Sequence, residues 1–394
     1  MEKIMFIGAG FLQDFVIRRA KDLGYYTIAI DGNQEALGLK HADKSAVIDI
    51  VDEKACLEFA RSENIDGVLT VATDFGVLTS NFIAEKLELP GLKYEAAKRI
   101  KNKYEVRKKL TMSHVDDSQV AIEVTNNTNI ESLNIQFPVI VKPCDGSGSR
   151  ATQKVEKKEE LSSACKMAIE SSMAKKALVE TFIRGHEYGV ESIVIDGTIH
   201  VLAIMKKMMT DPPYYAELGH QIPSELSKEM EQKIEKCVIK AIEALEINHG
   251  AVNMDLILND SGEIHIIDIG ARMGGNLIGT HIVPYGTGID YVKALLESSV
   301  GRKTSLTPTA KSVVVTRLLA FPGGTVQKIP DVQGIEKEYD VEIYHHMKKG
   351  MKIREYHTNL DGCGYIVGKA EEINKAKQKV EDVYNLLFRQ CFGG

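Results

Sequence analysis

Residues 253–272, NMDLILNDSGEIHIIDIGAR, restrict the fold more than any other stretch of the chain. Two strand-length apolar runs flank NDSG, a strong turn signal, and so read as a hairpin. Each run carries one carboxylate, Asp255 on the first and Asp268 on the second, 13 residues apart. Unpaired carboxylates on otherwise buried strands are costly, and a divalent cation is one partner that stabilises them. Arg272 follows four residues after Asp268, and MGGN comes next. Strand-borne carboxylates beside a guanidinium suit Mg²⁺-polyphosphate chemistry, in which metal bridges phosphates and arginine steadies developing charge. The competing reading pairs one aspartate with Arg272 and uses the other to cap a turn.

The first 95 residues alternate strand-like runs (KIMFIGAG, YYTIAID, DGVLTVA) with helical patterns (FLQDFVIRRAKDLG, EKACLEFARSENI). Alternation at this spacing predicts βαβ units around a parallel sheet. Pro90-Gly91 marks the break into a basic helical segment, whose residues 98–109 read as a solvated face because stacking aromatics are not interleaved with the charges. Residues 111–136 read as a connection holding one or two short elements. From 137 to 205 strands dominate, in PVIVKP, ALVETFI, YGVESIVI and TIHVLAIM. Apolar spacing predicts a helix over 224–247 opening at a Ser224 cap, and further helices over 289–300 and 370–389. A chain of 394 residues calls for two or three domains.

GAGFLQ, residues 8–13, is half of a dinucleotide fingerprint: Gly8 and Gly10 follow a strand, and Asp31 ends the next one. The third glycine position is Gln13, however, which weakens the case for bound NAD because that glycine permits close helix packing. FPVIVKPCDGSGSR, residues 137–150, raises a second question about phosphate. In the Walker arrangement glycines precede a Lys-Ser/Thr that opens a helix. Here Lys142 precedes Gly146 and Gly148, so any nucleotide site built from the stretch is of another kind.

The order Lys103 in NKYEVRKKL, Lys142 in FPVIVKP, a Gly-Ser loop, LVETFIRGHEYGVE and NMDLIL…IIDIGARMGG resembles the ATP-grasp superfamily of carboxylate–amine ligases. Within it the chain looks similar to the L-amino-acid ligases and the biotin-carboxylase-like enzymes grouped with them. The resemblance covers nearly the whole chain and implies an α/β (α+β grasp) protein in three parts. These are an N-terminal parallel-sheet, Rossmann-like domain at 1–95, a central ATP-grasp domain at 96–300 with its lid at about 111–205, and a small C-terminal α+β domain at 301–394. It also accounts for the order of lysine and loop, since two antiparallel sheets rather than a helix N-terminus carry the nucleotide. By the resemblance, Lys142 touches the α- and β-phosphates, and the 144–149 loop (Gly146, Ser147, Gly148, Ser149) closes over the β- and γ-phosphates with backbone N–H groups. Lys103 reaches the phosphates from the other sheet. Glu180 meets the adenine amino group, the Phe182–Ile183 hinge reads the adenine edge, and Glu187 holds the ribose hydroxyls. Asp255 and Asp268 are the implied Mg²⁺ ligands, with Mn²⁺ as an admissible substitute, and Arg272 stabilises the transferring phosphoryl group. The family pattern Glu-x-Asn-x-Arg is here Asp268-Ile-Gly270-Ala-Arg272, so its amide ligand is missing and Asn253 is the candidate to supply a contact instead.

The implied reaction joins a carboxylate to an amine through an acyl phosphate, releasing ADP and phosphate, with amino acids as the expected substrates. Three alternatives stand beside it: an ATP-grasp enzyme with another acceptor (a purine-pathway ligase or a bicarbonate-using carboxylase), a regulatory module without turnover, and an NAD-dependent oxidoreductase. His220, in YYAELGHQIPSEL, reads as a loop residue near an irregular lid, and Glu217 likewise. Lys206 and Lys207 end a strand aimed at the site. Cys144 has no neighbouring base in sequence and is not a nucleophile candidate, and His345-His346 reads as structural. A net charge of −6 gives no reason to expect nucleic acid or an anionic membrane as partner, and the sequence leaves a homodimer open. Six cysteines with no C-x-x-C pair, no signal-peptide pattern and no membrane-length apolar run lead to the expectation of a cytoplasmic protein.

Overall fold

The computed structural model describes residues 1–393 except 118–119, 147 and 212–213. The chain is of mixed α/β class. Four parallel strands open it, in the spatial order Lys44–Val47, Tyr26–Asp31, Lys3–Ile7, Gly67–Leu69. Helices Phe11–Asp22 and Glu53–Glu63 connect them, as expected where apolar runs alternate with helical spacing. Gly8 turns the chain out of the first strand at φ +98°, a conformation glycine adopts without cost. Gln13, in place of the fingerprint's third glycine, is buried and donates its Nε2 hydrogen bond to the Val71 carbonyl at 2.7 Å. The Asp31 carboxylate accepts from Ala9 N–H and Asn33 N–H, both at 2.8 Å, so it braces the turn from within.

Two antiparallel sheets follow. The smaller runs Ala121–Val124, Ala177–Thr181, Val139–Pro143, Gln153–Val155, and buries one face against helix Lys158–Ser171 through Val139, Val141, Leu161 and Ala168. The larger has eight strands in the order Ile264–Gly270, Gly250–Leu258, His186–Ile195, Thr198–Met209, Glu217–Ile222, Val313–Leu318, Gly364–Ala370, Val341–His345. The segment after residue 301 therefore adds three strands to this same sheet, and helix Ile373–Phe392 covers them through Val380, Val383 and Leu387. One core joins the N-terminal helix to the large sheet: Val16, Ile17, Ile193, Met205, Ile282 and Leu296 are all buried within it.

Two expectations are corrected. The helix expected from Ser224 runs over Lys228–Ala244, with Ser227 as its cap accepting from Met230 N–H. Glu225 has φ +65°, which is incompatible with a right-handed helical turn there, and the Ser224 hydroxyl instead bonds Glu231 at 2.7 Å. ELGHQI, expected to be irregular, is the strand Glu217–Ile222. His220 on it is 1% exposed rather than a solvated loop residue.

Candidate active site

A cleft of about 770 Å³ lies between the two antiparallel sheets and against the 72–75 turn of the N-terminal unit. Lys103, Lys142, Gly146, Gly148, Ser149, Glu180, Phe182, Ile183, Glu187, Asp255, Asp268 and Arg272 all line it. Ser147 lies outside the described residues.

Each side chain arrives by a local cause. Asn102 caps helix Lys103–Met112, its side chain accepting from Tyr104 and Glu105 N–H at 3.0 and 3.3 Å. Lys103 is thereby the first helical residue, and its free N–H donates to the Cys144 carbonyl at 2.8 Å, at the base of the glycine-rich loop. Lys142, on the small sheet, pairs with the buried Glu180 and donates to the Ile267 carbonyl of the large sheet at 3.0 Å. Arg107 reaches Glu180 from behind at 3.5 Å. On the hinge, Phe182 N–H is already donated to the Pro138 carbonyl at 3.3 Å. Among the described residues Ile183 N–H has no such partner, so it is the hinge donor left for a ligand.

Asp255 and Asp268 are direct cross-strand partners, and opposed residues of an antiparallel pair project from the same face. Lys103 grips both oxygens of Asp268, while Lys207 lies 3.1 Å from Asp255. Burial works to raise the Asp268 carboxyl, but the Lys103 and Lys142 charges hold it below its ordinary value. Asp255 stays raised: burial pushes it up, as do Glu217 and Asp268, against the pull of Lys207. Two carboxylates side by side on one face, each held here by a lysine, are the kind of donors a divalent cation would use in place of those lysines. Among the described residues no group of three His, Cys, Asp or Glu side chains could hold a metal by itself. The donor set suits Mg²⁺, which is usually held by one or two carboxylates together with phosphates and water.

Asp74 and Glu191 at the site were not found from the sequence, whereas Lys206, Lys207 and Glu217 were singled out there. Asp74, in the turn after strand Gly67–Leu69, lies 3.0 Å from Arg272 Nε. Lys207 is buried among Glu217 at 2.6 Å, Asp255 at 3.1 Å and Glu187 at 3.5 Å, whereas Lys206 points to the other face and pairs with Glu225. Burial alone would raise the Glu217 carboxyl, but the Lys207 and His220 charges take it down to about 2. Glu191, fully buried, is pushed up to about 7 by burial; it accepts from Asn253 Nδ2 and Gly274 N–H at 3.0 Å and from Tyr291 OH at 2.8 Å. The signal for Glu191 was present in YGVESIVI, a carboxylate inside an apolar strand run like those of Asp255 and Asp268. The Cys144 thiol is pushed up to about 12 by burial, which leaves it inert as a nucleophile.

Residues 135–281 match the ATP-grasp domain family. Among curated proteins, the chain is 24% identical over 329 residues to an uncharacterized protein, y4rH, of Sinorhizobium fredii, covering 80% of this chain and 66% of that one. Of solved structures, an L-amino acid ligase from Bacillus licheniformis superposes with a TM-score of 0.83 at 23% identity, covering 100% of this chain and 98% of that one. A phosphoribosylglycinamide synthetase from Anaerococcus prevotii superposes with a TM-score of 0.76 at 25% identity, covering 98% of each chain. No helix among the described residues is long and apolar enough to cross a membrane.

Proposed function

Because the chain carries an ATP-grasp domain, we propose that it is an ATP-dependent carboxylate–amine ligase acting on amino acids or similar small molecules. One observation carries the reading: a single cleft gathers Lys103 and Lys142, a glycine-rich loop, a cross-strand carboxylate pair and Arg272. We also keep the division into parts at 1–95, 96–300 and 301–394 as a proposal. The N-terminal and C-terminal parts then close the cleft from two sides, through Asp74 and through Asn359, Leu360 and Tyr365.

In this reading Lys142 and Lys103 leave their carboxylate partners to bind nucleotide phosphates, while backbone N–H groups of the 144–149 loop close over them. Ile183 N–H meets the adenine edge, Glu180 the adenine amino group and Glu187 the ribose. Asp255 and Asp268 would hold Mg²⁺, which when bound neutralises phosphate charge. A carboxylate oxygen of the first substrate attacks the γ-phosphorus, the bond to the β-phosphate oxygen breaks, and ADP leaves. Arg272 stabilises the charge carried by the phosphoryl group in flight. The amine nitrogen of the second substrate then attacks the acyl carbon, phosphate departs, and the ammonium proton is lost to solvent. Positioning and charge neutralisation account for such catalysis.

The test follows one oxygen atom. A carboxylate labelled with heavy oxygen, incubated with amine and MgATP, passes label to the released phosphate, with ADP as the nucleotide product. Unlabelled phosphate means that water attacks ATP, and AMP with pyrophosphate means adenylation; either result rejects the proposal. Turnover supported by bicarbonate alone points to the carboxylase alternative.

A further inference from the structure

Lys101 differs from the cations that surround the Asp255–Asp268 carboxylate pair. Lys103 is paired with Asp268, Lys142 with Glu180, Lys207 with three carboxylates and Arg272 with Asp74. Among the described residues Lys101 has no carboxylate within ion-pair distance. Its Nζ donates to the main-chain oxygen of Asp145 at 3.0 Å and lies 4.9 Å from the centre of the Phe75 ring. Those two contacts come from different parts of the molecule: Asp145 begins the glycine-rich loop, and Phe75 belongs to the N-terminal turn that carries Asp74. Lys101 also lines a small cavity of about 40 Å³ whose walls include Lys103, Gly146, Asp255, Asp268 and Arg272.

An ammonium offers three hydrogen-bond donors, and the Asp145 carbonyl uses one. Neither a carbonyl nor a ring face neutralises the charge, so a half-buried ammonium in this setting is stabilised by an anion. The Asp74, Asp145 and Asp268 carboxylates act on it only from longer range, and Lys103 opposes them. A free carboxylate would meet the repulsion of Asp255 and Asp268, whereas a phosphoryl group arrives with the divalent cation that those two aspartates would hold.

We propose that Lys101 is a third phosphate-binding lysine, contacting the terminal phosphoryl group of the nucleotide beside Lys103 and Arg272, and tying that contact to the glycine-rich loop through Asp145. The proposal rests on the nucleotide-binding reading above and adds a residue to it. Lys101→Gln removes the charge and keeps an N–H donor for the Asp145 carbonyl, so it separates anion binding from simple anchoring of the loop. Lys101→Arg keeps the charge.

The experiment is calorimetric titration of wild type and both variants with MgADP and with the Mg²⁺ complex of a non-hydrolysable β,γ-imido ATP analogue. Loss of one charge-assisted contact predicts analogue binding weaker by about tenfold or more in Lys101→Gln. MgADP affinity should stay within about twofold, because the expected contact is to the group that ADP lacks, and Lys101→Arg should recover most of the analogue's affinity. Equal losses for both nucleotides, or no loss for either, overturn the assignment while leaving nucleotide binding intact. Wild-type protein that binds neither nucleotide overturns the functional reading and the Lys101 proposal together. Should Lys101→Gln not fold, Lys101→Met takes the same titrations, with the same outcomes deciding.

Discussion

Asn253 and Gly270 stand directly opposite each other across the hairpin that carries the carboxylate pair. The amide that the family pattern would place at 270 has its nearest counterpart on the neighbouring strand. A Cβ at 270 would lie 3.1 Å from Arg272 Cζ and 3.2 Å from Asp74 Oδ1, so glycine leaves room for that ion pair. Asn253 is in turn fixed by Glu191 and lies 3.4 Å from Arg272 NH1.

From this pairing we expect Asn253→Ala to raise the Mg²⁺ concentration for half-maximal activity several-fold, in the same direction as Asp255→Asn and Asp268→Asn. Neutral amides keep the shape of the carboxylates but bind a hard cation less strongly. Gly270→Asn should not rescue Asn253→Ala, because the new side chain displaces Arg272. A metal titration of activity in the four variants decides; unchanged metal dependence in both aspartate variants returns that pair to a purely structural role.

Lys142→Ala should weaken MgATP binding by about tenfold or more, and Arg272→Ala should chiefly lower kcat by about a hundredfold. The lysine meets phosphates that are charged in the ground state, whereas the arginine meets charge that shifts during transfer. Steady-state kinetics separates them. An Arg272→Ala enzyme changed only in its KM for ATP would contradict the role given to that residue.

Nucleotide preference should follow the N-terminal turn. With Gln13 bonded to the Val71 carbonyl and Asp31 bonded to Ala9 and Asn33, the turn is braced by its own side chains. Calorimetry should therefore register MgATP and no NADH. Tight NADH binding with no ATP response would restore the oxidoreductase alternative.

His220 should make the protein acid-sensitive in a defined window. Burial lowers this imidazole to about 4, against an ordinary value of 6.5. The folded state therefore disfavours the proton that the unfolded chain accepts, and stability present above 6.5 is lost as pH falls towards 4. At 1.36 kcal/mol per pH unit the loss reaches about 3 kcal/mol at most. Glu217, held down at about 2, loses its own contribution only below the ordinary carboxylate range. Urea midpoints at pH 7.5 and 5 should fall less in His220→Gln than in wild type, and equal falls would refute the assignment.

The hairpin and the lysine-then-loop order are legible in the sequence because each lies within one short stretch. Asp74 is not, since its partner Arg272 lies 198 residues further along the chain and only the fold brings them together. The strand Glu217–Ile222 escapes detection for a different reason: it is buried on both faces and carries the polar His220 and Gln221 on opposite sides at 1% and 0% exposure, so the usual alternation of apolar and polar residues is missing. Helix Val77–Lys86 is hidden by the opposite condition. It buries Val77, Ser80, Asn81, Ile83 and Ala84 around more than one face, which erases a one-sided period.

The eight-stranded sheet makes the segment after residue 300 hard to remove. Strand Val313–Leu318 pairs with Glu217–Ile222 through Gln221↔Val315 and Ile222↔Val314. Ending the chain near residue 300 would strip that pairing and leave an open strand edge, a ready template for another chain to add to. It would also uncover Ala216 and Leu277, which are buried with Val314, Leu318 and Val367. A shortened protein should then self-associate through this edge, at the strand that carries Glu217 into the cleft.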